Sequence, residues 1–305
     1  MNAPGIALLD LLSTPVPILD GEGLVTRVGL SAADPLGERH AGEAFRVFLT
    51  QYSADGMHIS RREIGTLAAG ERRIFDVAAL LRGEKGEGNR LAVIHRVPES
   101  LCPSGEEPAT AAPFLGQHAE YELYRAVVEY ADPRGGNGSV VYETPPRFND
   151  LRDRPRPQET LSFTSKILIS EQYDTLLCLI HYSVDPSYRR TATYRMRVFT
   201  DAGEVAATRE LILEPFTATV VSMRELLVLS STRGSGEFRN YSMIAWCRDA
   251  AVIPLMIQRA PNCGSVAVEH IHPAQAFLLP NEIGQRNVIK ATSIAAWDHA
   301  FEAAS

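Results

Sequence analysis

The run Val268-Glu269-His270-Ile271-His272-Pro273 carries the most specific chemical signal in the chain. On an extended strand, residues two apart share a side, so His270 and His272 sit about 7 Å apart at about 3.3 Å rise per residue. Two imidazoles on one face form half of a transition-metal site, and a divalent transition metal is the cofactor they would hold. His181, Asp185, Glu210 and Glu269 are candidates for the remaining ligands. Glu269 faces the other side of a regular strand unless a bulge before Pro273 turns it. The ordinary reading is that the pair is hydrogen-bonded structure, which is the commoner outcome for His-x-His.

The run His181-Tyr182-Ser183-Val184-Asp185-Pro186 holds the residue types of a nucleophile, base and orienting acid. Residues two apart on one strand cannot form the hydrogen-bond chain of a triad, and no GxSxG elbow accompanies them. Capping of a strand end by Ser183 and Asp185 is the plainer expectation. The sequence has no GxGxxG, no phosphate loop, no HExxH and no calcium loop. Tyr121, Tyr124, Tyr130, Tyr142, Tyr182, Tyr194 and Tyr241 form a strand-associated set that would either line a ligand platform or pack at strand edges.

The elements that must position these residues are strands. Phe45 to Leu49 and Tyr194 to Phe199 alternate apolar and charged residues, the period-two signature of a half-buried strand. Similar short runs recur along the chain. Turn residues such as Asp55-Gly56, Gly135-Gly136-Asn137-Gly138 and Asp201-Ala202-Gly203 separate them. This predicts a mainly β protein of antiparallel β-sandwiches with few short helices.

The pattern occurs twice. Ile59 to Ile64 leading into Ile74 to Leu81 matches Val205 to Leu211 leading into Val220 to Leu227. Gly138-Ser139-Val140 with Glu143 matches Gly264-Ser265-Val266 with Glu269 at the same spacing. The expectation is an internal duplication: two tandem, related sandwiches. Residues 24–144 form the first copy and 159–279 the second. A Pro-rich linker spans 145–158, a leading segment 1–23, and a tail 280–305 contains a short helix around Trp297 and Phe301. Asp76 and Ser222 are the expected N-caps of a helical turn in each copy. The copies differ in an insertion around Pro98 to Leu123 in the first and in the His270/His272 pair in the second.

Composition bounds the function. The chain has 305 residues, 45% hydrophobic and 22% charged, as in globular core-forming proteins. A net charge of −7 disfavours nucleic acid as a partner, because phosphate binding needs clustered Lys and Arg. No apolar run is long enough for a membrane span. No export signal is visible, and Cys102, Cys178, Cys247 and Cys263 form no CxxC pair, so reduced thiols and a cytoplasmic location are expected.

Three function classes remain. The first is a non-catalytic binding or accessory protein that holds a small molecule or a protein partner at the junction of the two sandwiches, where ligand clefts are common. The second is a metal-assisted enzyme with its site in the second copy around His270 and His272, with Glu269 or Asp185 as acid-base partner. The third is a structural assembly protein. A homodimer is compatible with each.

Overall fold

A computed structural model describes residues 12–32, 44–81, 89–99, 126–142, 149, 159–183, 185, 187–228, 238–271 and 283–303. The insertion around Pro98 to Leu123, most of the linker, and His272 lie outside the described residues or nearly so.

Among the described residues sixteen strands follow one another as β1 (Leu12–Ile18), β2 (Val25–Ser31), β3 (Phe45–Tyr52), β4 (His58–Leu67), β5 (Arg72–Asp76), β6 (Arg90–Pro98), β7 (Val127–Ala131), β8 (Asn137–Val141), β9 (Thr160–Ile169), β10 (Asp174–His181), β11 (Ala192–Thr200), β12 (Val205–Leu213), β13 (Thr217–Ser222), β14 (Arg239–Cys247), β15 (Ile253–Ala260) and β16 (Ser265–His270). The α-helices are α1 (Val77–Leu80), α2 (Met223–Val228) and α3 (Ile283–Glu302).

These strands form four antiparallel four-stranded sheets. Sheet I has the order β1-β6-β3-β4 and sheet II the order β5-β2-β7-β8. Sheet III, read from its β9 edge, is β9-β14-β11-β12, and sheet IV is β13-β10-β15-β16. Adding eight to each strand number turns sheet I into sheet III and sheet II into sheet IV. The fold is therefore a duplicated β-sandwich unit. The repeated segments read from the sequence fall on equivalent elements, β4 with β12, β5–α1 with β13–α2, and β8 with β16.

The two helical turns start where their caps dictate. Asp76 accepts a hydrogen bond from the Ala79 amide at 2.8 Å, and the Ser222 hydroxyl accepts one from the Glu225 amide at 3.1 Å. Each satisfies a backbone donor that the helix cannot.

Two elements differ from the sequence reading. β1 lies inside residues 1–23, taken as a leading segment, yet it is the edge strand of sheet I, equivalent to β9. Pro15 and Pro17 disguise it, since proline interrupts a strand pattern and is tolerated only where no ladder donor is needed, as on an edge. The tail helix is also longer than the short helix expected around Trp297 and Phe301.

Sheet IV is the centre of the molecule. All eight residues of β10 are buried. Leu177 and Leu179 join a core with sheet III, whereas Leu176, Cys178 and Ile180 join a core that runs through sheets I and II. Cross-strand register puts Ile257, Leu255 and Ile253 beside those three, so this whole face of sheet IV packs on the first unit. The continuous apolar run Leu176 to Ile180 is the sequence correlate of this two-sided burial.

Candidate functional site

The described chemistry concentrates at the junction between the units. Tyr52 of β3 stacks on Phe216, which lies in the β12–β13 turn, with ring centroids 4.8 Å apart. Tyr182, just past β10, meets the same Phe216 edge-on at 6.0 Å. The two turns approach so closely that a methyl group at Gly56 would fall 2.1 Å from the Pro215 carbonyl oxygen. Arg259 of β15 reaches the Glu22 carboxylate at 3.0 Å, adding an ion pair across the junction.

Behind Tyr52 lies a buried hydroxyl–imidazole chain. His95 Nδ1 is 2.8 Å from Ser13 Oγ, and its Nε2 is 3.1 Å from Thr50 Oγ1. Ser13 also hydrogen-bonds Tyr182 of the second unit. Register explains the grouping, because Ser13, His95 and Phe48 are directly opposed on β1, β6 and β3, with Thr50 one step along the same face. Ser13 and His95 have the spacing of a nucleophile–base pair, but the third member is a hydroxyl rather than a carboxylate. Burial, reinforced by the nearby Arg61 guanidinium, lowers the His95 pKa to about 3. An imidazole that weakly basic is a poor general base near neutrality. The chain works as a buried polar tie between the units.

The residues proposed from sequence as metal ligands are dispersed. His181 is fully buried, with Nδ1 3.1 Å from the Leu213 and Glu214 carbonyl oxygens and Nε2 3.2 Å from the Tyr188 hydroxyl. Burial outweighs those backbone hydrogen bonds and lowers its pKa to about 4. Asp185 accepts from the Ser187 amide and hydroxyl at 2.9 and 2.7 Å, the strand-end cap expected of it. Glu269 is held by Lys166 Nζ, 2.9 Å from both carboxylate oxygens. His270 faces the opposite side of β16 and meets the Tyr142 ring at 6.1 Å. Register places His270 opposite Leu255 and Leu255 opposite Cys178, so His181 is two strands and three residues away, on the other face of sheet IV. Among the described residues no cluster of three His, Cys, Asp or Glu side chains is arranged to hold a metal ion. His272, the second half of the pair, is outside the described residues.

Tyr130 and Tyr142 are struts, and Tyr121 and Tyr124 lie outside the described residues. Tyr130 donates to the Pro17 carbonyl at 3.2 Å, and Tyr142 donates to that of Pro15. Both rings are buried in the first core and carry the two backbone carbonyls of β1. Cys178 and Cys247 are free, buried thiols with raised pKa values, chiefly through burial. Cys263 is free and exposed.

Asn149 is the one described residue of the expected linker, and it is clamped. Its Nδ2 donates to the Tyr182 and Ala251 carbonyls at 2.7 and 2.8 Å, and its Oδ1 accepts from the Ala251 amide at 2.8 Å. Its φ of 52° is left-handed, a conformation Asn tolerates better than most residues.

The outer faces of the equivalent sheets differ. Helix α3 lies on the middle of the outer face of sheet III, and Phe163 and Ile212 on the edge strands of that face remain exposed. Trp246 Nε1 donates to Asp298 at 2.5 Å, and Arg195 and Arg248 reach the same carboxylate at 2.8 and 3.0 Å. Trp246, Leu161 and Ile294 are buried there, with Trp297 and Phe301 packed around them. The outer face of sheet I is covered by sheet IV. No element among the described residues covers the outer face of sheet II. Ile74, Gly29, Val127 and Val141 form one cross-strand row on it, with Ile74 70%, Val127 41% and Val141 40% exposed. On sheet IV the equivalent face is buried core. Sequence reasoning passed over this row, although Val127-Val128 and Val140-Val141 place apolar residues on both faces of their strands.

No protein-family model matches the chain, and no curated protein matches it. Among solved structures, a calcium-binding mutant of Bacteroides uniformis beta-glucuronidase 2 is similar at 11% identity and a TM-score of 0.21, covering 85% of this chain and 26% of that one. A biofilm-associated protein BSP domain is similar at 7% identity and a TM-score of 0.22, covering 86% of this chain and 58% of that one. The chain thus spans about a quarter of the first and under two thirds of the second. Among the described residues no helix is long and apolar enough to cross a membrane.

Proposed function

We propose that this chain is a non-catalytic binding protein whose partner is another protein, docked on the open outer face of sheet II. One observation carries the reading. Two equivalent sheet faces have opposite fates, that of sheet IV buried against sheet I and that of sheet II exposed with an apolar row. Rows of exposed apolar side chains rimmed by polar ones mark protein-binding surfaces. The rim here is Arg27, Glu129, Asp76, Arg72 and Ser139.

The junction supports the reading from the other side. Tyr52, Phe216, Tyr182 and the Ser13–His95–Thr50 chain fill it with the chain's own groups, so a small molecule there would have to displace them. His181, Glu269 and Asp185 already have structural partners, which weighs against a metal-assisted enzyme.

Native mass spectrometry of the purified full chain tests this. The expected result is the polypeptide mass, alone or with protein subunits. A stoichiometric metal ion or retained small molecule, released on unfolding, contradicts it and returns the metal site around His270 and His272 to the front.

A further inference from the structure

We infer that the occupant of the open face of sheet II is a second copy of this chain, packed face to face about a two-fold axis parallel to the strands between β2 and β7. The inference rests on the protein-binding reading above and specifies its partner.

The first argument is closure. Inside the chain, the outer face of one unit's sheet stacks on the outer face of the next unit's sheet, so the architecture is a stack of units. Stacked-repeat architectures need terminal caps. Helix α3 lies over the middle of the sheet III end with a buried Trp246–Asp298 contact, leaving Phe163 and Ile212 at its edge strands 49% and 59% exposed, whereas no described element lies on the outer face of sheet II. Joining two uncovered ends by a two-fold axis gives a closed assembly of four units with α3 at both ends, whereas head-to-tail growth would require α3 to leave.

The second argument is complementarity, read from the register. Across sheet II, Asp76, Arg27, Glu129 and Ser139 form one row, and Ile74, Gly29, Val127 and Val141 form the next. A two-fold axis along the strands exchanges β2 with β7 and β5 with β8. Arg27 and Glu129, an ion pair at 2.8 Å within each chain, then lie over Glu129 and Arg27 of the other copy, and Ile74 lies over Val141. Val127 lies over Gly29, where the missing side chain leaves a notch. Strands about 4.8 Å apart and five residues long give a flat footprint of roughly 300 Å². That is well under the ~800 Å² per partner of a standard stable interface, so the dimer is a weak, reversible one.

Sedimentation velocity over a wide concentration range tests the proposal on the full chain. The wild type is expected to dimerise reversibly. Arg27→Glu alone places two acids in apposition and Glu129→Arg alone places two bases, so each should weaken dimerisation at least tenfold. An equimolar mixture of the two variants should recover it, because each copy then presents the charge the other lacks. Gly29→Ala gives an independent check. Its new Cβ makes only ordinary contacts, 3.7 Å from the Val127 Cβ, so the fold tolerates it while the notch is filled. A wild type that stays monomeric overturns the proposal, as does a dimer that these substitutions leave intact or a mixture that does not recover. If the protein is monomeric and native mass spectrometry shows bare polypeptide, the second copy falls while the protein-binding reading stands. A bound metal or small molecule removes both.

Discussion

Phe216 of the second unit lies flat on Tyr52 of the first, with ring planes 10° apart and centroids separated by 4.8 Å. Phe216 holds this position with φ of 59°, a left-handed conformation that a bulky residue adopts only when its surroundings enforce it. The duplicated units are thus wedged together by an aromatic residue whose backbone is held in the left-handed region.

Removing the wedge measures that coupling. Phe216→Ala should destabilise the protein by about 3–5 kcal/mol, the usual cost of deleting a buried phenyl ring. Denaturant unfolding checks the value, and a cost below about 1 kcal/mol would show that the wedge does not join the units.

Two neutral buried histidines give an acid signature. His95 has a pKa of about 3 and His181 of about 4 in the folded state, against about 6.5 when unfolded. Below about pH 6.5 the unfolded chain takes up protons that the folded chain refuses, so stability falls with falling pH. Each histidine contributes about 1.4 kcal/mol per pH unit until its folded pKa is reached. Urea unfolding between pH 7 and 4.5 should show this slope, and His95→Gln should remove about half of it.

Asp298 acts in the same direction at lower pH. Burial alone would raise its pKa, but the Trp246, Arg195 and Arg248 hydrogen bonds prevail and hold it below the ordinary carboxylate value. A depressed carboxylate pKa contributes stability above the unfolded value, lost as pH falls through the folded one. Asp298→Asn should release α3 at neutral pH, read as a change in Trp246 and Trp297 fluorescence, and cost about 3 kcal/mol. The acid-side change in that fluorescence should then flatten.

The turns that join sheets II and IV leave no room for a side chain. A methyl at Gly136 would fall 1.7 Å from the Gly264 carbonyl oxygen. Gly136→Ala should therefore cost about 1–3 kcal/mol through overpacking. Gly203→Ala in the β11–β12 turn separates this from backbone strain. Gly203 has a φ of +79° but open space around it, so its cost should be near 1 kcal/mol.

Much of the fold was legible because strand alternation and the repeat are local signals. Val205 to Leu211 and Ile59 to Ile64 do occupy equivalent strands, and Asp76 and Ser222 do cap equivalent turns. What was not legible depends on distant pairing. Ser13 and Thr50 lie 82 and 45 residues from His95, and no spacing rule brings them together. β1 was hidden by its prolines. The open row on sheet II became visible only through register, which sets Gly29 beside Ile74 and Val127. The His270-Ile271-His272 motif was read as chemistry because its spacing is local, whereas Glu269 is drawn to Lys166, 103 residues away.

The central claim is that the open face of sheet II is the partner face. A methyl NMR dilution series on isotopically labelled protein tests it most directly. The predicted result is concentration-dependent shifts at Ile74, Val127 and Val141, with Ile212 on sheet III and the buried Leu177 and Leu179 unchanged. Shifts centred on sheet III instead of these three residues would contradict it.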